Sequence, residues 1–487
     1  MPDRELPARR PNILWYCADQ LRSDAIGPAG NPHVRTPNLD RLAAMGTTFT
    51  TAYCQAPICT PSRASFLTGK YPSSIPLNCN GNATFPEGER LVTRRLADVG
   101  YDCGLVGKLH LAGAANGREV RTDDGYRSFK YSHAPRNNWT RGHDYADWIR
   151  AKGADPEAVL TVKSNKFGDL MEPTPDKDNV PPELHQTTWA SEMALDFIRE
   201  ERSGPWLLSV NVYDPHPPFN PPWEYYRRYD PASLPGPLFR ESDLEHQGML
   251  AHAGVDFQSR PRRPEEYQGN KLQAAYYAMI EMVDEHFGKI LDHLEQSGEL
   301  DNTLVIFSTD HGESAGDHGL TQKGCRFFDG MVRVPLIMAW PGRIQAGARS
   351  DALVELTDVM PTLMESVGLP IPDDVQGRSL LPILTGAAPP HDHRDFVRTE
   401  CYAAFDMPNR TFATMYRDRR WKLVVYHGLE HGGRGLGELY DMEADPHEFT
   451  SLWDSPEHQP IKTELLLKSY DATIAAMPYG PPLVMPY

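Results

Sequence analysis

Four short, continuous apolar segments constrain the fold of this chain more than any other feature of its sequence. They cover residues 12–18, 101–106, 206–212 and 303–308. Their side chains are apolar in succession rather than in alternation, which is typical of strands buried on both faces of a parallel sheet. The sequence therefore predicts a large sheet with helices on each side.

Helical patterns lie between these segments. Residues 37–45 follow Thr36, a predicted N-cap, start with Pro37 at the first helical position, and stop before Gly46. Residues 91–99 end in the same way before a glycine, and residues 271–294 keep one apolar face over the longest predicted helix. Strands that alternate with helices predict an α/β fold with a mostly parallel sheet.

The pattern changes after Pro370. A stretch rich in Pro, Gly and His at 385–394 precedes three closely spaced strand-like runs, at 396–404, 412–416 and 421–426. These runs predict a smaller antiparallel sheet, and residues 461–477 predict a terminal helix. We predict a domain boundary between residues 375 and 390, with a catalytic α/β domain over 1–380 and a C-terminal α+β subdomain over 381–487.

Composition excludes several classes of protein. The 49 Lys and Arg residues against 66 Asp and Glu residues leave a formal net charge of −17, which disfavours nucleic acid as a partner. The seven cysteines show neither paired spacing nor a CxxC sequence, so a disulfide framework is not expected. No apolar run approaches the ~20 residues of a membrane span, and the first residues lack the apolar segment of a secretory signal. We expect a cytoplasmic protein without a membrane partner.

Each of the four apolar segments ends in a polar cluster. The clusters are Asp19-Gln20, Lys108-x-His110, Asp214-Pro-His216 and Asp310-His311. A single cluster of this kind is commonly a helix cap or a structural histidine. Ligands bind beyond the carboxyl ends of parallel strands, however, so four such clusters predict an active site there.

A fifth cluster is Cys59-Thr-Pro-Ser-Arg63, which leads into a helix that Gly69 ends. Thr60 is the predicted N-cap and Pro61 the first helical residue. The positive end of a helix favours anions, and Arg63 adds a fork-shaped cation that suits a tetrahedral oxyanion. An inert buried cysteine before an ordinary helix is the alternative interpretation.

The sequence C-x-P-S-R, followed by a helix ending L-T-G, resembles the formylglycine signature of the sulfatase family. These are the formylglycine-dependent type I sulfatases of the alkaline phosphatase superfamily, and the chain resembles the arylsulfatases among them in particular. Lys70 departs from that signature, which more often has Arg. The resemblance extends from about residue 11 to residue 450, through further matches in the family's order. These are Thr36-Pro-Asn-Leu-Asp-Arg-Leu42, Gly107-Lys-Leu-His110, His216-Pro-Pro-Phe219, Asp310-His-Gly312, Lys323, Glu438-Leu-Tyr-Asp441 and Asp445-Pro446.

This resemblance implies an alkaline-phosphatase-like fold and the hydrolysis of small-molecule sulfate esters. It implies that a separate formylglycine-generating enzyme oxidises Cys59 to an aldehyde, whose hydrate attacks sulfur and forms a covalent sulfo-enzyme. The second hydroxyl of the hydrate can then lose its proton and expel sulfate. The implied roles are Lys108 and Arg63 as charge clamps, His110 as the base that collapses the hemiacetal, and Lys323 with His216 at the leaving-group oxygen.

The resemblance also implies a site for one divalent metal, formed by Asp19, Gln20, Asp310 and His311. Many sulfatases have Asp and Asn where this chain has Gln20 and His311. A set rich in oxygen ligands suits Ca²⁺, Mg²⁺ or Mn²⁺ better than zinc, and we expect Ca²⁺ first.

Two other functions compete with a sulfatase. Phosphonate monoester hydrolases and phosphodiesterases of the same superfamily resemble this chain at Gln20 and His311, but they tend to have neutral residues where it has Lys108 and His110. A non-catalytic binding protein on the same fold would have lost catalytic residues, and none of the expected residues is missing from this sequence. The natural substrate, whether an aryl, carbohydrate or alkyl sulfate, depends on loops at 78–87, 113–176 and 221–270. The apolar ending, residues 477–487, is either an arm of a homo-oligomer or a tail.

Overall fold

The computed structural model describes residues 10–114, 117–135, 142–160, 179–403, 411–428 and 435–477. The strands in these ranges are β1 Asn12–Ala18, β2 Thr47–Tyr53, β3 Asp102–Gly107, β4 Ser128–Tyr131, β5 Trp206–Asn211, β6 Thr303–Thr309, β7 Arg333–Ala339, β8 Ala348–Ser350, β9 Val354–Glu355, β10 Val397–Tyr402, β11 Phe412–Arg417, β12 Trp421–His427 and β13 Gly437–Asp441. The α-helices are α1 Pro37–Met45, α2 Cys59–Thr68, α3 Val92–Asp98, α4 Asp144–Ala151, α5 Pro156–Val159, α6 Gln186–Arg199, α7 Trp223–Tyr226, α8 Glu241–His252, α9 Gly269–Gln296, α10 Asp329–Val332, α11 Val359–Ser366, α12 Leu381–Leu384 and α13 Gln459–Ala475. The four predicted buried strands are β1, β3, β5 and β6, with ends within one residue of the prediction.

Nine of these strands form one large sheet in the order β4-β3-β5-β1-β6-β7-β2-β8, with β9 also beside β2. Strand β7 runs antiparallel to both of its neighbours, whereas the other described pairs of this sheet are parallel. The predicted mostly parallel sheet is therefore confirmed.

Helices cover both faces of the large sheet. On β1, Trp15 packs with α2 on one face, where its ring centroid lies 5.1 Å from that of Phe66. Tyr16 points to the other face and contacts Phe287 of α9, with ring centroids 5.1 Å apart. Both faces of the strand thus bury large side chains, each worth roughly 1.5–3 kcal/mol of transfer free energy, and this explains the continuous apolar sequence.

The sequence pattern did not indicate strand β7, which contains a proline. Pro335 lies between Val334, which pairs with Ala52, and Leu336, which pairs with Phe49, so the register of β2 shifts at that point. A proline cannot donate to the strand ladder and is accommodated at such a bulge. The bulge therefore explains how β7 can lie inside the sheet.

The second sheet has the order β10-β11-β12-β13 and is antiparallel, as predicted, and β13 is a strand that the sequence did not indicate. Helix α13 packs on it through Leu465 and Ala472. The division of the chain into domains at 1–380 and 381–487 stays a prediction. Residues 478–487, the predicted arm or tail, lie outside the described residues. None of the helices in the described ranges has both the length and the apolar character needed to cross a membrane.

Candidate active site

The carboxyl ends of four neighbouring strands meet at one edge of the large sheet. The strands β3, β5, β1 and β6 are adjacent in that order, and all run parallel. Lys108, Asp19 and Asp310 follow β3, β1 and β6 directly, and His216 lies a few residues beyond β5. The predicted convergence of separate polar clusters is thus present in the fold.

Helix α2 brings Cys59 to this edge as its first residue. Ile58 is the N-cap, with extended backbone, so the predicted N-cap at Thr60 is wrong by two residues. The helix starts earlier because the backbone carbonyl of Ile58 already accepts the first helical hydrogen bond, from the Ser62 amide at 3.2 Å. Gly69 ends the helix in a left-handed conformation, as expected. Cys59 therefore lies within the first helical turn, where the helix dipole favours negative charge.

The thiol of Cys59 lies among cationic and metal-ligand groups. Lys323 Nζ lies 2.8 Å from Cys59 Sγ, and His311 Nε2 lies 3.2 Å from it. Asp19 Oδ1 lies 3.8 Å from the same sulfur. All four side chains are buried. The structure thus brings the predicted nucleophile, one predicted acid and two predicted metal ligands together.

His216 pairs with Lys323 on the more exposed side of the site. His216 Nδ1 lies 2.7 Å from the Pro217 carbonyl, which can only accept, so Nδ1 carries a hydrogen. His216 Nε2 therefore accepts from Lys323 Nζ at 3.1 Å. His216 is half-buried, whereas Lys323 is buried. This pair can deliver a proton to a group that approaches from solvent. Asp214 of the same cluster accepts instead from Thr187 Oγ1, at 3.0 Å.

Arg63 and Lys108 neutralise the two buried carboxylates. Arg63 Nε donates to Asp310 Oδ2 at 2.9 Å, and Lys108 Nζ donates to Asp19 Oδ2. Burial raises the pKa of Asp19, but the charges of Lys108 and Arg63 outweigh it and hold that pKa well below its usual range. Burial and Asp19 raise the pKa of Asp310, and Arg63 again brings it below its usual value. Both carboxyl groups are therefore ionised at neutral pH.

The same charges act on the thiol. Burial raises the pKa of Cys59, but Lys108 and Lys323 more than offset that effect, and the pKa falls below its usual value. A site that stabilises a thiolate also stabilises other anions at the same position. The electrostatics of the site therefore suit an anionic substrate.

The buried groups at this edge fit a divalent metal. Ligand atoms of Asp19, Cys59, Asp310 and His311 all lie within 4.8 Å of one another. His311 Nδ1 lies 2.7 Å from the Gly312 carbonyl, so Nδ1 carries the hydrogen and the Nε2 lone pair is directed into the cluster. Besides the sulfur of Cys59, the predicted nucleophile, the set contains two carboxylates and one imidazole, and these three suit an oxygen-preferring ion.

Gln20, the fourth predicted ligand, is oriented by a residue that sequence analysis missed. Its amide nitrogen donates to the buried carboxylate of Glu313, and its Oε1 consequently faces Lys323 Nζ at 2.8 Å. The amide oxygen thus already faces a cation. Glu313 directly follows Asp310-His-Gly312, and its place in that motif is the signal that could have identified it.

His110 lies at the same strand end but, among the described residues, it makes no direct hydrogen bond to Cys59. Its ring centroid is 4.5 Å from that of His133, edge to face. Burial and the charge of Lys108 hold the pKa of His110 well below its usual value. The imidazole is therefore neutral at pH 7 and can accept a proton.

Comparison with known proteins identifies the family. The family model described as Sulfatase matches residues 11–369 of this chain. The chain belongs to the sulfatase family. A second family model, described as N-sulphoglucosamine sulphohydrolase, C-terminal, matches residues 316–473, a range that contains the whole second sheet of this sulfatase-family enzyme.

The names of individual relatives give different activities. An arylsulfatase of Clostridium perfringens is 29% identical over 464 residues, which are 92% of this chain and 92% of that protein. A multifunctional alkaline phosphatase superfamily protein, PehA, of Trinickia caryophylli is 27% identical over 506 residues and 94% of each chain. The crystal structure of a phosphonate monoester hydrolase of Agrobacterium radiobacter superposes with a TM-score of 0.80 at 27% identity, over 96% of each chain. The predicted alkaline-phosphatase-like fold is therefore confirmed.

Proposed function

We propose that the protein is a sulfuric-ester hydrolase for small-molecule sulfate monoesters, aryl sulfates first, with carbohydrate and alkyl sulfates as further substrates. The observation that carries this proposal is the position of Lys323, 2.8 Å from Cys59 Sγ and 3.1 Å from His216 Nε2. One ammonium group thus lies between the nucleophile and an imidazole on the open side. This is where the oxygen of a leaving alcohol needs a proton.

In this proposal residue 59 is converted to formylglycine, and its hydrate supplies two hydroxyl groups. One hydroxyl oxygen bonds to sulfur as the ester S–O bond breaks. The proton of that hydroxyl passes to the Lys323–His216 pair, which gives a proton to the leaving oxygen. Lys108 and Arg63 offset the charge on the sulfuryl oxygens. The remaining hydroxyl then gives its proton to His110, the C–O bond to the sulfo group breaks, sulfate leaves, and water rehydrates the aldehyde.

The same proposal assigns one divalent metal to Asp19, Gln20, Asp310 and His311, with Ca²⁺ first and Mn²⁺ or Mg²⁺ as alternatives. Bound there, the ion would add positive charge beside the sulfate oxygens. The fit of the ion rests on the buried donor set and on the orientations of Gln20 and His311.

A phosphonate monoester hydrolase or phosphodiesterase is the second candidate. The likeness to the Agrobacterium enzyme favours it, at 27% identity and a TM-score of 0.80. Lys108 favours the sulfatase, because its ammonium lies against Asp19 beside Cys59 and adds a formal charge at the nucleophile.

A substrate panel tests the proposal. Enzyme of measured formylglycine content is assayed on aryl sulfates and on the matching phosphonate monoesters. We expect a higher kcat/KM for the sulfates than for the phosphonates. Some turnover of the phosphonates is still expected, because both kinds of ester are tetrahedral monoanions. Phosphonate turnover higher by orders of magnitude would establish the second candidate, and turnover of neither ester by fully modified enzyme would favour a binding protein.

The same panel tests the proton donors. Protonation of a leaving oxygen is typically worth ~10² to 10⁴ in rate. His216→Ala and Lys323→Ala should therefore slow esters with poor leaving groups most and steepen the dependence of rate on leaving-group pKa. Equal slowing of every ester would contradict their assigned role.

The proposal includes a maturation partner, a formylglycine-generating enzyme, and a cytoplasmic location. Co-expression with such an enzyme should raise the formylglycine content at position 59, as measured by peptide mass spectrometry. Fractionation of the source cells tests the location.

A further inference from the structure

Three consecutive backbone amides of the loop that carries His110 converge on one buried carboxylate. Glu119 Oε2 accepts from the His110 amide at 2.7 Å, and Glu119 Oε1 accepts from the amides of Leu111 and Ala112, the latter at 2.9 Å. Glu119 is 4% exposed. Successive N–H groups of this kind form an anion-binding concavity, and here the anion is a side chain of the same loop.

His110 itself has a strained backbone. Its φ of 61° lies in the left-handed region, which is unfavourable for a residue with a side chain. Such a conformation persists when the surrounding contacts determine it. The Lys108 amide donates to the Asn211 carbonyl at 3.1 Å and fixes the backbone before His110. Glu119 accepts from the His110 amide and fixes the backbone at His110 itself.

The imidazole of His110 depends on this backbone for its position. Within the described part of the chain, His110 Nδ1 has no hydrogen-bond partner. The ring also packs edge to face against His133, with ring centroids 4.5 Å apart. A rotation of the backbone at position 110 would therefore move the ring directly.

We propose that Glu119 is a positioning residue for the proton transfer assigned to His110: its carboxylate holds the left-handed turn that sets the position of the imidazole. This inference rests on the proposed function, because it presupposes that His110 accepts the proton when the sulfo group leaves. Glu119 does not touch the reacting atoms in this assignment and acts through three backbone amides.

Glu119→Gln is the variant that tests the inference. Glutamine keeps the size of the side chain but replaces one acceptor oxygen with an NH₂ group that faces backbone N–H donors. Glu119→Asp, which keeps both acceptor oxygens, is the conservative variant. Burial raises the pKa of Glu119 to about 7, so the assays are run well above that pH, where the carboxylate is ionised.

We expect Glu119→Gln to lower kcat by roughly 10- to 100-fold, the scale of a misplaced catalytic group, with KM unchanged or lower. The sulfo group should accumulate on residue 59 during turnover, as seen by intact mass spectrometry of quenched enzyme, and as also expected for His110→Ala. Glu119→Asp should restore part of kcat. In the His110→Ala background, Glu119→Gln should cause no further loss of kcat, because both act on one step.

Asp284→Asn is the matched control. Asp284 is also a buried carboxylate that accepts from backbone amides, of Asn38 at 3.1 Å and Leu39 at 2.8 Å, but it secures the start of α1 rather than the His110 loop. This variant should lower the melting temperature without any accumulation of the sulfo group.

The inference is overturned if the two losses multiply in the double variant, or if Glu119→Gln and Glu119→Asp lose activity only in proportion to lost folded protein. If His110→Ala accumulates the sulfo group and Glu119→Gln does not, the role of His110 stands and the inference alone fails. If His110→Ala leaves kcat unchanged, the proposed role of His110 fails and the inference fails with it.

Discussion

At the scale of single residues, the buried cysteines show how neighbouring charges decide the state of a thiol. Burial raises the pKa of Cys17 to about 12, and burial likewise raises that of Cys103 to about 12. Cys59 is buried to the same extent, yet Lys108 and Lys323 bring its pKa below the usual value. Thiols in apolar surroundings are inert, and cations make them reactive. The cations around Cys59 therefore distinguish it from the other two.

We expect active protein to carry formylglycine at position 59, because the C-x-P-S-R sequence is intact. Peptide mass spectrometry measures the modification. Cys59→Ala should abolish turnover while the melting temperature changes little, and Cys103→Ala is the matched control that should keep its activity per folded molecule. Fully active protein with an unmodified thiol at Cys59 would contradict the proposed mechanism.

We expect about one divalent ion of the Ca²⁺, Mg²⁺ or Mn²⁺ type per chain by elemental analysis. Asp19→Asn and Asp310→Asn should weaken binding of the ion, measured by titration calorimetry, far more than Gln20→Ala does. Each aspartate change removes a formal charge as well as a ligand, whereas the glutamine change removes a neutral oxygen. A strict requirement for stoichiometric zinc would exclude this assignment.

At the scale of elements, helix α2 is the part that carries both Cys59 and Arg63, so its position relative to β6 decides the geometry of the site. The Ser62 hydroxyl donates to the Asp310 carbonyl, and Arg63 donates to the Asp310 side chain. The other end of the helix is fixed at Gly69, whose carbonyl accepts from the amides of Gln376 and Gly377 at 2.8 and 2.9 Å. Helix α2 is thus held at both ends.

Gly69→Ala should destabilise the protein through this element. The φ of Gly69 is 74°, and an added Cβ would lie 2.8 Å from Val375 Cγ1. Gly30 is a matched control, since its φ is 93° and an added Cβ would meet no atom within 4 Å. Chemical denaturation should show a loss of about 1 kcal/mol for Gly30→Ala, from backbone strain. The loss for Gly69→Ala should be about 2–4 kcal/mol, because overpacking adds to the strain. Equal losses would show that the contact with Val375 relaxes freely.

At the scale of the whole molecule, the second sheet supports the segment that carries Lys323. Lys422 of β12 is buried and donates to the Phe327 carbonyl at 3.0 Å, and it pairs with Asp329 at 2.7 Å. Glu438 of β13 accepts from His246 of α8 at 2.7 Å. These contacts join the second sheet to the segment that follows Lys323 and to helix α8.

Glu438→Gln should lower stability at neutral pH and make it less sensitive to acid. Burial raises the pKa of Glu438, but its hydrogen bond from His246 and the histidine's charge bring it from the ordinary 4.5 to about 2. The carboxylate therefore stabilises the folded state above pH 4.5, and this stabilisation is lost as pH falls from 4.5 to about 2. We expect a difference of ~1–3 kcal/mol in the free energy of unfolding at pH 7 between the protein and the variant.

Chemical denaturation at a series of pH values measures this difference, which should shrink below pH 4.5. Glu464→Gln on α13 removes a carboxylate from an exposed pair with Lys468 and should change stability by no more than a few tenths of a kcal/mol at any pH. A loss in Glu438→Gln that is independent of pH would show that the carboxylate's charge does not contribute.

The sequence alone predicted the elements whose burial pattern is local. The segments at 12–18 and 303–308 are apolar throughout because both faces of β1 and β6 are covered. Burial on both faces makes consecutive residues apolar, and this pattern can be seen in the sequence. The same holds for α9, whose apolar face repeats with the helical period. The polar residues after each strand were identifiable because they closely follow these segments, and Cys59 and Arg63 because they open a predicted helix and match the C-x-P-S-R signature. Strand β7 was missed because its proline is compatible with a strand only opposite the bulge in β2, which is distant in sequence.

Tertiary structure decided the order of the strands and, with it, which side chains meet. Nothing in the chain order indicates that β3 and β5 lie side by side with β1 and β6, yet this adjacency places Lys108, Asp19 and Asp310 within one site. The hydrogen-bond partners of the Glu313 and Glu119 carboxylates could not be assigned from the sequence for the same reason. Their partners are an amide that follows β1 and three backbone N–H groups that follow β3, and a hydrogen bond to a folded backbone leaves no pattern in residue types. Side-chain chemistry is local to the sequence, whereas the convergence of charges depends on long-range packing.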